Sequence, residues 1–281
     1  TEEDTITKMT VSYKADEDTL WYFTRSEGYR PGGWNRNAGA VPNCRSFAVD
    51  AAGYCGGSPG DKGYRADIPL AYKSDEVTNV EVGVKTLLMD GAMRLNATYY
   101  RIDWEGIQVS QFDPVNVNFI TFVENAANAE ISGLEADMLW YPSDTLTVAA
   151  AMSYNDTEIV KDVAKTIPIV DIGKSLPLAP ARQWNVRVRK DLSMNESYFQ
   201  VVVKSSSKTY NSFEAAKVKD QPAYEILDLA YGMTLNDVDV EFFIRNATDE
   251  RANLYYNDQD DIPRITTNRP RNMGVRLSYR F

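Results

Sequence analysis

Residues 274–281 read GVRLSYRF, and the alternation within them decides the fold. Val275, Leu277, Tyr279 and Phe281 form one set; Gly274, Arg276, Ser278 and Arg280 form the other. A period of two is that of a β-strand with one apolar and one charged face. In a soluble sheet the apolar face covers a core. In a transmembrane barrel it meets lipid, and the charged face lines the interior. The rest of the chain decides between these.

The same alternation recurs in pairs joined by tight turns. VEVGVKTLLMD and AMRLNATYYRIDW flank Asp90-Gly91, a strong hairpin signal between alternating segments. LEADMLWY turns at Pro142-Ser143-Asp144 into TLTVAAAMSY, and WNVRVRKD turns around Leu192 to Asn195 into SYFQVVVKSS. ILDLAYGMTL turns at Asn236-Asp237 into VDVEFFIRN, and KMTVSYK turns at Asp16-Glu17-Asp18 into TLWYFTRS. Irregular stretches rich in Asn, Asp, Gly and Pro separate these hairpins at about 29–76, 113–128, 156–178, 209–222 and 249–269. Five short turns therefore alternate with five long loops. With the final strand this makes about eleven strands, many longer than the ~5–6 residues of an ordinary globular strand. Short turns at one end, long loops at the other and strands of ~9–11 residues describe an outer-membrane barrel.

The faces agree. Val80, Val82, Val84 and Leu88 oppose Glu81 and Lys85; Leu134, Ala136, Met138 and Trp140 oppose Glu135 and Asp137. Trp184, Val186 and Val188 oppose Arg187 and Arg189; Val238, Val240, Phe242 and Ile244 oppose Glu241 and Arg245. The expected fold is all-β, a transmembrane antiparallel barrel with its charged side inward. Trp21, Tyr22, Trp140, Tyr141, Tyr279 and Phe281 gather at the short-turn end, where an interfacial aromatic girdle would lie.

Composition excludes other classes. The 281 residues are 25% charged and 43% hydrophobic, which argues against disorder. Mean hydropathy is −0.41, and no apolar run reaches the ~18–20 residues of a spanning helix. A net charge of −10 argues against a nucleic-acid partner. The chain has no His, so it offers no His ligand for haem, copper or zinc and no Ser-His-Asp site. No catalytic residue, metal site or cofactor is expected. Cys44 and Cys55, the only cysteines, share one loop-like stretch; this fits a disulfide in an oxidising compartment, with two free thiols as the other reading.

Four stretches, in order along nearly the whole chain, resemble the C-terminal half of TonB-dependent receptors, the active importers of the outer membrane. They are RSEGYRPGGWN, NVEVGVKTLLMDGAMRLNATYYRIDWEGIQV, ENAANAEISGLEADMLWYPSDTLTVAAAMSY, and FFIRNATDE followed by RPRNMGVRLSYRF. The family's barrel has twenty-two strands. Eleven is odd, and the first and last strands both descend to the short-turn end, so direct closure would pair them parallel. Residues 1–281 are thus expected to be the C-terminal part of one barrel domain, without the plug and N-terminal strands.

The resemblance implies import of a scarce nutrient, a ferric siderophore first. Cobalamin, saccharides and small aromatic compounds are alternatives, as is a passive porin. TonB would act through the missing N-terminal part. The terminal Phe281 resembles the signal read by the barrel-assembly machinery, and lipid and lipopolysaccharide would surround the wall. Glu81, Lys85, Glu135, Asp137, Arg187, Arg189, Glu241, Arg245 and Arg276 are the candidates for facing a plug, since a charge in a closed interior needs a partner. Tyr29, Arg30, Trp34, Phe119, Phe122, Tyr210, Phe213, Tyr255 and Tyr256 are candidates for a ligand-binding rim in the loops, as aromatics with a few polar groups suit a large amphipathic small molecule. Packing of the loops on themselves is the competing role for each. Asp258, Asp260 and Asp261 form an acidic loop cluster that could meet a cationic ligand.

Overall fold

A computed structural model of the chain describes residues 5–35, 71–112, 121–164, 171–194, 196–257 and 263–279. Among these residues, eleven strands form one antiparallel sheet: β1 Lys8–Lys14, β2 Thr19–Arg30, β3 Asp75–Leu88, β4 Met93–Phe112, β5 Thr121–Ser143, β6 Leu146–Asp162, β7 Arg182–Asp191, β8 Tyr198–Ser206, β9 Tyr224–Leu235, β10 Val238–Arg245 and β11 Asn272–Tyr279. Each pairs with its chain neighbours, so the sheet is a simple meander with β1 and β11 at its edges. The expected alternation holds. Tight turns follow β1, β3, β5, β7 and β9, and long connections follow the others.

The tight turns rest on local backbone chemistry. Met89, Asp90 and Gly91 all have positive φ (56°, 53° and 84°), and the Ala92 N–H closes onto the Met89 carbonyl at 3.0 Å. Asn236, at φ 54°, opens the two-residue link between β9 and β10. Asn and Asp tolerate this left-handed region better than most residues.

Pairing partners show the two faces directly. Leu88, Met93, Trp140, Val148, Val188, Val201, Leu229, Ile244 and Met273 lie opposite one another in turn, one row across β3 to β11 without a polar residue. Val11, Phe23, Val82, Tyr99, Leu134 and Tyr154 form a second such row across β1 to β6. Val82, Leu134, Val188, Phe242 and Leu277 on this face are solvent-exposed. An exposed apolar face of this extent needs hydrocarbon rather than water. On β4 it runs from Met93 to Tyr99 before the first charge, Arg101, which pairs with Glu130 at 2.7 Å. That is about 20 Å along the strand, most of the height of a barrel's lipid band.

The long apolar row starts at Leu88, the last residue of β3, and ends at Met273, near the start of β11. One hydrogen-bonded row thus climbs from the short-turn end to the long-loop end. This stagger is the shear of a tilted, barrel-forming sheet.

Aromatic side chains lock the opposite face. Tyr22 on β2 lies over Gly83 on β3, and its hydroxyl reaches Thr98 on β4 at 2.7 Å. Tyr100 on β4 lies over Gly133 on β5 and bonds Asn155 on β6. Tyr198 on β8 lies over Gly232 on β9 and donates to Glu241 on β10 at 2.6 Å. Phe243 covers Gly274 in the same way without a polar end. A ring on one strand thus uses the missing Cβ of the next to reach the third.

Three sequence expectations change. Tyr22 faces inward and does not join a girdle, whereas Trp21 is exposed on the apolar side. The turn expected at 142–144 sits at Asp144–Thr145, with β5 running through Ser143. The stretches 121–128 and 156–162, expected to be loop, are strand; β4, β5 and β6 reach 20, 23 and 17 residues. Bulges near Gly106 (φ 63°) and at Asn128/Ala129 let the ladder continue, and the small Ala126, Ala127 and Ala129 bury there.

Gly232→Val should drive a side chain into the Tyr198 ring and lower the stability of the folded barrel by about 1–3 kcal/mol, read as the loss of heat-resistant mobility in detergent gels and a lower unfolding midpoint. Leu229→Arg, on the lipid row, should cost about 2–4 kcal/mol in bilayers. Val202→Arg, on the inner face between Arg187 and Asp228, should leave the same midpoint nearly unchanged.

Candidate functional site

All nine charges expected to point inward share one face, the face that carries the tyrosine–glycine locks. Three concave spaces open on it. One, of about 570 Å³, is lined by Asn96, Glu135, Asp137, Asn185 and Lys204 among others. One of about 530 Å³ lies near the short turns, between Arg189, Tyr198, Asp239, Glu241 and Arg276. Another of about 530 Å³ lies higher, between Tyr22, Glu81, Tyr100, Ile131 and Asn155, under Leu176 and Ala179.

The nine charges differ in how far the wall satisfies them. Glu241 accepts from Arg276 Nη1 at 2.8 Å and from Tyr198, whose ring lies 3.7 Å from the Arg189 guanidinium. Arg189 also donates to Asp191 at 2.9 Å. Arg245 lies 3.7 Å from Asp228, which takes Lys204 at 3.3 Å and the Asn246 N–H at 2.9 Å. Asn79 donates to Glu81 at 2.7 Å, and Asn96 donates to Asp137 at 3.0 Å. The Lys85 ammonium lies 5.9 Å from the Tyr22 ring centre. Glu135 and Arg187 make no ion pair among the described residues, and both are exposed to the concave side.

At the long-loop end, β2 to β5 are tied by a polar knot. Asp75 is 1% exposed. Its carboxylate accepts both a paired contact from Arg30, with Nε at 2.9 and 3.0 Å, and the Gln108 N–H at 3.2 Å and Trp104 Nε1 at 3.3 Å. Arg30 also stacks on Trp104, 5.5 Å from the ring centre. Gln108 donates to the Lys73 and Pro31 carbonyls at 3.0 and 3.1 Å, and Asn125 both accepts from Lys73 N at 2.8 Å and donates to Gly106 O at 2.6 Å. Asn35 exchanges two bonds with the Val123 backbone, at 2.7 and 2.8 Å.

Beside this knot a small apolar core forms where loops fold back over the wall. Ile107, Ala126, Ala127, Ala129, Ile159 and Leu176 are buried together, with Tyr210, Phe213 and Val218 packed against them. Leu176 N donates to Thr157 Oγ1 at 2.9 Å, and Leu178 N to the Tyr210 carbonyl at 2.8 Å. The Tyr210 hydroxyl donates to the Ser175 carbonyl, and burial pushes this phenol up to about 12. In the loop after β10, the Asp249 carboxyl accepts the Arg271 N–H at 2.8 Å, which holds it below the usual carboxylate range.

The rim candidates consequently fall into different roles. Phe122 is 2% exposed, and Tyr210 and Phe213 pack in the loop core. Arg30 belongs to the polar knot. Tyr29 lies on the apolar side of β2, opposite Glu76. Trp34 and Tyr255 are exposed, Tyr256 is half-buried, and the Tyr256 carbonyl accepts from Asn211 at 3.3 Å. Phe119, Phe281, Cys44, Cys55, Asp258, Asp260 and Asp261 lie outside the described residues. Of the knot residues, Asn125 belongs to the ENAANAE stretch that carries the family resemblance, whereas Asp75, Trp104 and Gln108 were not singled out in the sequence; the signal available was Gly106 interrupting an alternating strand.

Residues 4–247 match the family described as TonB dependent receptor-like, beta-barrel. The chain belongs to this family of TonB-dependent receptors. It is an outer-membrane family, so the apolar rows of this receptor chain face outer-membrane lipid. Solved relatives include the ferric yersiniabactin uptake receptor FyuA from Yersinia pestis (16% identity, TM-score 0.68, covering 95% of this chain and 36% of that one). The siderophore receptor PiuA from Acinetobacter baumannii gives 18%, 0.67, 96% and 34% by the same measures. The pyoverdine outer membrane receptor FpvA from Pseudomonas aeruginosa PAO1 gives 15%, 0.66, 98% and 36%. At these identities the likeness is one of fold. The receptor chain spans about a third of the length of each of these proteins.

Arg30→Ala in the receptor should strand the Asp75 carboxylate and cost about 1–3 kcal/mol, since a buried acceptor loses its charged partner. Hydrogen exchange should rise at Gln108 and in the neighbouring long-loop ends of β3 and β4, while amides at the short-turn end keep their protection.

Proposed function

We propose that the chain is the C-terminal half of the barrel of an energised importer, and that the imported compound is a ferric siderophore. Family membership over residues 4–247 carries this reading. Three solved relatives are by name receptors for siderophores or their iron complexes, which supports the choice of substrate class.

The edges support the proposal that more strands belong to the barrel. Among the described residues, neither β1 nor β11 has a second strand partner. A strand edge exposed to hydrocarbon leaves N–H and C=O groups unpaired at several kcal/mol each, so spanning sheets close. β1 and β11 run in the same direction, and an antiparallel barrel cannot close through them. Preceding strands of the complete protein would fill the gap, and a plug held inside would meet Glu135, Arg187 and the concave spaces around them. TonB would engage the segment that carries the plug and use it to release the compound inward. No catalytic step is assigned to the chain.

Growth of receptor-deleted cells complemented with the full-length gene tests this, with a ferric hydroxamate, a ferric catecholate, cobalamin, maltose or an aromatic acid as the limiting nutrient. Rescue by an iron chelate that disappears without TonB is the expected result. TonB-dependent rescue by sugar, cobalamin or aromatic acid would replace the siderophore. Uptake indifferent to TonB would replace the mechanism with a porin's.

A further inference from the structure

Three long connections meet above the inner ends of β7, β8 and β9, and their junction encloses a cleft of about 190 Å³. The junction is laced together rather than loosely apposed. Thr209 and Tyr210 pair with Gln221 and Asp220 as a small ribbon. Ser207 exchanges bonds with the Arg182 backbone at 2.9 and 3.1 Å, and Asn211 donates to the Tyr256 carbonyl at 3.3 Å. Leu178, a bulky residue at φ 58°, is held in that unfavourable conformation by its bond to the Tyr210 carbonyl.

The cleft has an incomplete polar group. Gln221 lines it and is 2% exposed. Its Oε1 accepts from the Thr209 hydroxyl at 3.1 Å, but its Nε2 is buried without a hydrogen-bond partner. Turning the amide over keeps the Thr209 bond and leaves the carbonyl unpaired instead. Buried amide groups are ordinarily satisfied, and one that is not calls for a missing partner. A hydroxyl, which both donates and accepts, completes the amide in either orientation.

The remaining walls narrow the chemistry. Among the described residues, none lining the cleft carries a charge. Gln183, Ser206 and Tyr224 supply further neutral polar groups, while Leu254 and Tyr255 present exposed apolar surface. The volume is below that of a site for a whole drug-sized molecule and takes a single ring. Gln183, Ser206 and Tyr224 also line the 570 Å³ concavity below, so the cleft opens toward the side where the body of a larger compound would lie.

We propose that this cleft is a ligand subsite for one neutral, hydroxyl-bearing ring of a larger imported compound. The proposal deepens the importer reading and rests on it for the compound's arrival at the mouth. Calorimetric titration of the full-length receptor in detergent tests it, with a ferric tris-catecholate and its glucosylated form as probes. The glucosylated probe should bind more tightly by about tenfold or more, as expected where a site is built to hydrogen-bond a hydroxyl. Gln221→Leu and the cavity-filling Leu254→Trp should each abolish that advantage while leaving affinity for the plain probe unchanged. The probe-free melting temperature of Gln221→Leu should stay level or rise, because an unpaired amide has gone.

Equal binding of both probes to the wild type, or an advantage that survives both substitutions, would overturn the subsite while TonB-dependent growth still supported the importer. A lowered probe-free melting temperature in Gln221→Leu would make Gln221 scaffold and overturn it as well. If neither chelate binds, the siderophore reading fails separately, and titration with maltose then decides: a signal lost in both variants upholds the subsite, and no signal ends it.

Discussion

The wall of this barrel depends on a ring lying where a Cβ is missing. Three tyrosines and a phenylalanine on the inner face each cover a glycine on the next strand, and each tyrosine reaches a polar group on the strand beyond. A glycine in a strand gives up packing and adds chain entropy to the unfolded state. The covering ring restores the packing, and the polar contact at its far end draws three strands into one unit. Register follows from this. A slip by one residue would send the ring into lipid and put a side chain where the ring had been. Three of these aromatic covers lie in the β2–β6 half of the sheet or its mirror at β8–β10, so both ends of the wall are pinned independently.

The inner face then divides its charges. Near the short turns, Glu241, Arg276, Tyr198, Arg189 and Asp191 form one connected group, and Asp228 holds Lys204, Arg245 and the Asn246 backbone higher up. Such groups are complete within the wall, and the desolvation of each charge is offset by a neighbour on an adjacent strand. Glu135, which lines the 570 Å³ space, and Arg187 stand outside these groups on the same inner face. A contacting body can act through them without dismantling the wall's own pairs.

Much of the fold was legible because its signals are local. Alternation needs only neighbouring residues, and Asp90-Gly91 and Asn236-Asp237 mark their turns within the turn itself. The face assignment of all nine charges followed from the same period. What failed was non-local. The stretch 121–128 has small residues instead of alternation, and only the bulge at Gly106 and the loops folding over Ala126, Ala127 and Ala129 make it strand. Tyr22 and Trp21 looked alike by position, yet adjacent strand residues point oppositely, and the glycine under Tyr22 lies sixty-one positions further along at Gly83. The loop aromatics were the least legible. Composition cannot tell Phe122 and Phe213, which pack inward, from Trp34, which does not.

The unequal strand lengths give the mouth a shape. β4, β5 and β6 run 20, 23 and 17 residues, whereas β10 and β11 run eight each. β4, β6 and β10 start from tight turns and β5 ends at one, all at the same end, so the surplus stands above the lipid as a stiff parapet, braced at its foot by the Asp75 knot. On the opposite flank the connections leave the wall almost at membrane level. Among the described residues the long-loop end of the wall is therefore uneven, high where β4, β5 and β6 stand and low at β10 and β11.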